Sequence, residues 1–134
     1  PQPQGHGEQV LLVDDEGSLA SATAQALEAV GYRVVVQDSP IEALETFNER
    51  PASFSAVITD HTMPGMTGVE MAKEMLRVRP ELPVMLITGF GQREIAQRAR
   101  SAGIRTILAK PYSSRELVEA LQETLRGLDG EASG

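Results

Sequence analysis

Four polar positions in this chain each close an apolar run. Asp14-Asp15-Glu16 follows Val10-Leu11-Leu12-Val13, Asp60 follows Ala56-Val57-Ile58-Thr59, Thr88 follows Val84-Met85-Leu86-Ile87, and Lys110-Pro111 follows Thr106-Ile107-Leu108-Ala109. Such short apolar or β-branched runs suit strands buried on both faces of a parallel sheet. In an open α/β sheet the ligand crevice lies beyond the carboxyl ends of the strands. Three carboxylates, a hydroxyl and an ammonium therefore converge on one sheet edge. Clustered Asp side chains are hard oxygen ligands suited to Mg²⁺, which keeps several waters and takes one or two protein carboxylates together with phosphate oxygens. A remaining carboxylate is a nucleophile whose attack on phosphorus gives an aspartyl phosphate. Metal, ammonium and hydroxyl would then stabilise the equatorial oxygens of the transferring group.

The elements that must hold these groups alternate strand and helix five times, which implies a parallel sheet with helices on both faces. Helix one is predicted from about Ser18 to Val30, with Leu19, Thr23, Ala26 and Leu27 inward, and strand two from Arg33 to Gln37. Helix two opens on Ser39-Pro40-Ile41-Glu42, a capping box with proline at the first helical position, and carries an apolar stripe of Ile41, Leu44 and Phe47. Helix three runs from about Val69 to Arg77 over Val69, Ala72 and Leu76, and helix four from about Gln92 to Ala102 over Ile95, Ala96 and Ala99. That weak stripe makes helix four the expected most mobile element. Helix five starts with a second capping box, Ser113 to Glu116, shows Leu117, Val118, Leu121 and Leu125, and is expected to stop at Gly127. Right-handed crossovers give a flavodoxin-like (βα)5 doubly wound sheet of order 2-1-3-4-5, with the acidic strands near the switch point. The domain organisation is a linker over residues 1–8, one folded unit over 9–126, and a flexible tail over 127–134.

Length and composition bound the function. A chain of 134 residues buries enough core to fold as one domain. It has no cysteine, which fits a reducing, cytoplasmic compartment and excludes a disulfide framework or thiolate metal site. No apolar run reaches the roughly 20 residues of a membrane span. Pro1 to Gly7 lacks the basic start and apolar middle of a signal peptide, and the missing initiator Met suggests an excised piece of a longer protein. The net charge of −7, with twelve scattered Lys and Arg, argues against a direct nucleic-acid surface.

These motifs together make the chain similar to the receiver domains of two-component response regulators over residues 9–126: Leu11-Leu12-Val13-Asp14-Asp15-Glu16, Ile58-Thr59-Asp60-His61-Thr62-Met63-Pro64-Gly65-Met66-Thr67-Gly68, Ile87-Thr88-Gly89 and Lys110-Pro111. The resemblance implies that Asp60 is the phosphoacceptor, receiving a phosphoryl group from a phosphohistidine on a histidine kinase or histidine phosphotransfer domain. It implies Mg²⁺ on Asp15, Asp60 and the backbone carbonyl of Thr62, with Asp14 acting mainly through bound water. Thr88 and Lys110 would hold the phosphoryl oxygens, and Lys110-Pro111 would be a cis peptide. Such a domain mediates only its own phosphorylation and dephosphorylation. Gly65 and Gly68 are expected to supply backbone freedom, Met63 and Met66 to pack, and His61 to face solvent.

Two positions depart from the common family pattern. Ile107 stands three residues before Lys110, where many receivers carry a rotating Tyr or Phe, so a signal would travel through Thr88 and a shift of helix four. Phe90, two residues after Thr88, and Thr62, two after Asp60, sit where the family's hydrolytic water approaches, and bulky Phe90 is expected to slow phosphoryl loss. The lead-in Gly5 to Glu16 and the Thr88-Gly89-Phe90 segment look most like receivers appended to hybrid sensor histidine kinases. A stand-alone receiver and the regulatory half of a DNA-binding regulator remain open. The surface of helix four, strand five and helix five is the expected partner or homodimer face; Arg93, Arg98, Arg100 and Arg105 could form ion pairs across a dimer there, although scattered arginines read first as a solvated helical face. Two readings from other classes also stand. A phosphatase of the haloacid-dehalogenase type would need an acid where Thr62 stands and a cap insertion that no loop is long enough to provide. A phosphorylation-independent interaction module would ordinarily lack one of the acids or Lys110.

Overall fold

A computed structural model describes residues 5–133, with side chains over 5–126. Residues 1–4 of the predicted linker and residue 134 of the predicted tail lie outside the described residues. The strands are β1 (Gln9–Val13), β2 (Arg33–Gln37), β3 (Ala56–Asp60), β4 (Val84–Thr88) and β5 (Thr106–Ala109). The helices are α1 (Gly17–Glu28), α2 (Pro40–Glu49), α3 (Gly68–Val78), α4 (Arg93–Ala102) and α5 (Ser114–Ser133), with a short 3₁₀ turn at Pro51–Ser53. All strand pairs are parallel and the order is β2-β1-β3-β4-β5, the predicted flavodoxin-like arrangement.

The continuous apolar runs divide by alternation. Val10, Leu12, Ala56, Ile58, Met85 and Ile87 join Ala20, Ala24 and Leu27 of α1 and Leu117, Val118 and Leu121 of α5. Leu11, Val13, Val57, Val84 and Leu86 point the other way, into a cluster with Phe47 of α2, Met71, Ala72 and Met75 of α3 and Ala99 of α4. A strand buried on both sides must be apolar at every position, because its two residue sets face two different helix layers.

Several helical details differ from the predicted ones. In α1 the fully packed positions are Ala20, Thr23, Ala24 and Leu27, while Leu19 and Ala26 are half-buried. Small alanines let the helix lie close to the sheet, which a stripe drawn through the largest side chains misses. Ile41 of α2 is 66% exposed, and Pro40, Ala43 and Phe47 form the buried face. The Ser39 half of the α2 capping box is formed, with Ser39 Oγ accepting from the Glu42 N–H at 3.2 Å. On α5 both halves of the predicted box are made: Ser113 Oγ accepts from the Glu116 N–H at 3.0 Å, and Glu116 Oε1 accepts from the Ser113 N–H at 2.8 Å. The helix runs through Gly127 to Ser133, since an interior glycine is a penalty of roughly 0.5–1 kcal/mol and not a stop. The lead-in is docked: Gly5 and Gly7 donate backbone N–H groups to the carbonyls of Val30 and Gly31 at the turn into β2.

Candidate phosphoryl-transfer site

Strand register delivers the polar groups to one edge. Val13 pairs with Thr59, Asp60 with Ile87, and Thr88 with Ala109, so the residues at or just beyond these pairs become neighbours. Backbone bonds carry the alignment past the strands: the Asp14 N–H donates to Gln37 O at 3.1 Å, His61 N–H to Ile87 O at 3.0 Å, and Lys110 N–H to Thr88 O at 2.8 Å. The Lys110-Pro111 peptide is cis.

Carboxylate oxygens of Asp14, Asp15 and Asp60 lie within 4.8 Å of one another. Lys110 Nζ is 3.3 Å from Asp60 Oδ1. A cavity of about 320 Å³ is walled by Asp15, Asp60, His61, Thr62, Thr88, Gly89, Gln92 and Lys110. Asp14 is buried behind that wall and accepts the Glu16 N–H at 2.9 Å.

The charges perturb one another. Burial pushes the Asp14 carboxyl above its ordinary range; the Glu16 N–H pulls it back, Asp60 and Asp15 push it further up, and Lys110 opposes them. Burial disfavours the Lys110 ammonium, but the charge and hydrogen bond of Asp60, joined by Asp14 and Glu16, outweigh it and hold the pKa above the ordinary lysine value. Two of the three acids are buried and close to a third, a donor set with the chemistry of a hard divalent cation such as Mg²⁺.

The loop after β3 is anchored by packing. Met63 is buried and Met66 half-buried against the α2–α3–α4 layer, as predicted. Gly65 has φ +86°, which a non-glycine residue rarely adopts. Gly68 is needed for a different reason from the predicted one. Its φ is not positive; instead a Cβ there would collide with the Asp60 carbonyl oxygen, because the start of α3 lies against the β3 backbone. The Gly68 N–H also donates to His61 O at 2.8 Å.

Two expectations are corrected. His61 does not face solvent: it is 9% exposed, and its Nδ1 is buried without a hydrogen-bond partner. Burial lowers its pKa, Asp60 opposes this, and Arg98 adds to the lowering. A lone polar residue after a strand gave no sign of this burial. Phe90 is 88% exposed and is not among the residues of the cavity wall. Arg105 is not free for pairing across an interface, since its guanidinium donates to Glu81 O at 3.1 Å and Thr124 O at 3.4 Å. Ile107 is half-buried against the α2–α3–α4 layer. Sequence reasoning missed Gln92 as a wall residue; a carboxamide just past the carboxyl end of a site strand was the available signal.

The chain's sequence matches the response regulator receiver domain family over residues 10–122. It is 33% identical over 116 residues to the response regulator receiver protein CpdR of Brucella abortus, covering 87% of this chain and 95% of that protein. It is 29% identical to the sensor kinase CckA of the same organism, covering 90% of this chain but 13% of that protein. Among solved structures, a response regulator receiver domain protein from Clostridium thermocellum superposes with a TM-score of 0.86 at 29% identity, covering 91% of this chain and 97% of that one. Motif, fold and site geometry agree with these likenesses: the chain belongs to the response regulator receiver domain family.

Proposed function

We propose that residues 9–126 form a phosphoacceptor unit in which Asp60 takes a phosphoryl group from a phosphohistidine on a histidine kinase or histidine phosphotransfer domain. A carboxylate oxygen of Asp60 attacks phosphorus, the N–P bond to the donor imidazole breaks, and the imidazole leaves with the bonding pair. Mg²⁺ held by Asp15, Asp60 and the Thr62 carbonyl, with Asp14 acting through water, would supply neutralisation of charge on the phosphoryl oxygens. Lys110 offers its ammonium to an oxygen of the transferring group, and the Thr88 hydroxyl a hydrogen bond. The observation that carries the reading is Lys110 Nζ 3.3 Å from buried Asp60 in a cavity shared with Asp15 and Thr88. The test is intact-protein mass spectrometry after incubation with an acyl-phosphate donor and Mg²⁺. One phosphoryl adduct that is absent from Asp60→Ala is expected, and no adduct on folded, metal-bound protein would count against it.

The parent context we favour is a cytoplasmic hybrid sensor histidine kinase, supported by the likeness to CckA and by the Gly5 to Glu16 and Thr88-Gly89-Phe90 segments. The match across 95% of CpdR supports a stand-alone receiver as the second reading. The open reading frame on either side of this segment decides between them. A homodimer through α4, β5 and α5 would draw on exposed Arg93, Arg98 and Arg100. Among the described residues no helix is long and apolar enough to cross a membrane.

A further inference from the structure

Gln92 lines the site cavity, a place that the phosphoacceptor chemistry does not require it to hold. Its Oε1 accepts the Gly89 N–H at 3.1 Å, and a Cβ placed on Gly89 would meet the Gln92 carboxamide carbon at 3.5 Å. Both residues belong to the cavity wall with Asp60, Thr88 and Lys110. Gln92 is also the N-cap residue of α4, yet its side chain caps none of that helix's N–H groups and reaches back to Gly89 instead. Ala99 is the only fully buried residue in the helix it precedes. Little apolar burial therefore fixes α4 in place, and the bond to Gly89 ties its first turn to the end of β4.

We infer that the Gln92 carboxamide is a latch. With Asp60 unmodified it occupies the Gly89 N–H, and a phosphoryl oxygen on Asp60 displaces it, releasing the α4 N-terminus. The inference rests on the proposal that Asp60 is phosphorylated. The direction of exchange follows from charge: a phosphoryl oxygen is anionic, and a hydrogen bond to an ionised acceptor is roughly twice as strong as one to a neutral amide. No covalent step is involved. The device converts a new anion at the sheet edge into loss of one tether on a weakly packed helix, a population shift driven by contacts that differ between the two states.

A latch and a merely structural loop bond make opposite predictions. Gln92→Met keeps the side chain's length and removes the acceptor. Binding of beryllofluoride, a phosphoryl mimic, is measured by calorimetry with Mg²⁺ on wild type and variant, and amide hydrogen exchange is followed at Gly89 in metal-free protein. The latch predicts faster Gly89 exchange in the variant and beryllofluoride affinity about three- to tenfold tighter, the span of one ordinary hydrogen bond removed from competition. Affinity that is unchanged or weaker overturns it, since a bond that only shapes the site would cost affinity when lost. Wild type that binds no beryllofluoride and takes no phosphoryl group counts against the phosphoacceptor proposal instead, so the two failures are distinguishable.

Discussion

Asp14 carries the electrostatic cost of the site most directly. Its carboxyl is raised above the ordinary value of 3.8 because burial, and then Asp60 and Asp15, oppose its charge. Between that ordinary value in the unfolded chain and the raised native value, the native state binds more protons, so stability falls as pH rises through this window. Urea titrations of the metal-free protein at a series of pH values should show that fall. Asp14→Asn keeps an oxygen that can accept the Glu16 N–H and removes the charge. It should raise the metal-free melting temperature by a few degrees and flatten the pH dependence. Phe90 makes the opposite kind of prediction. An exposed ring outside the cavity wall contributes less than about 0.4 kcal/mol to a barrier there, so Phe90→Ala should change phosphoryl lifetime by under about twofold. Radiolabel decay measures it, and markedly faster loss would mean that the ring folds over the site after phosphorylation.

At the scale of elements, the β3–α3 connection positions the site and α4 is the part free to respond. Thr67 caps α3 reciprocally: its Oγ1 accepts from the Glu70 N–H at 3.2 Å, and Glu70 Oε1 accepts from the Thr67 N–H at 2.9 Å. Thr67→Ala should cost about 1 kcal/mol in a denaturant titration. Such a Thr-x-x-Glu cap is readable from residues alone, yet the predicted start at Val69 passed over it because the helix face was sought in apolar spacing. The weak stripe of α4 was legible, and its single buried residue gives it content. Hydrogen exchange should find the α4 amides less protected than those of α3, whose Met71, Ala72 and Met75 are fully enclosed. Equal protection in the two helices would contradict this.

For the molecule as a whole, the proposed metal role of the acidic cluster predicts a coupling of metal binding to folding. On the proposed function Mg²⁺ would bind a site assembled only in the native state, so at about a hundredfold excess over its dissociation constant it should add about 2.7 kcal/mol. A melting temperature several degrees higher in saturating Mg²⁺, with a smaller increment in Asp14→Asn, is the expected result in a calorimetric scan. An unchanged melting temperature, with metal still supporting phosphorylation, would refute the repulsion account. The sequence by itself determined the strands, their parallel order and the meeting of Asp14, Asp15, Asp60, Thr88 and Lys110, because each polar group terminates its own apolar run and parallel register brings run ends together. Only the tertiary structure decided that His61 is enclosed, that Gly68 serves close approach, that Ile41 and Phe90 stay in water, and that Gln92 bridges to Gly89. Period and composition report which face of an element is apolar; they do not report how near the next element comes, and these four features depend on that distance.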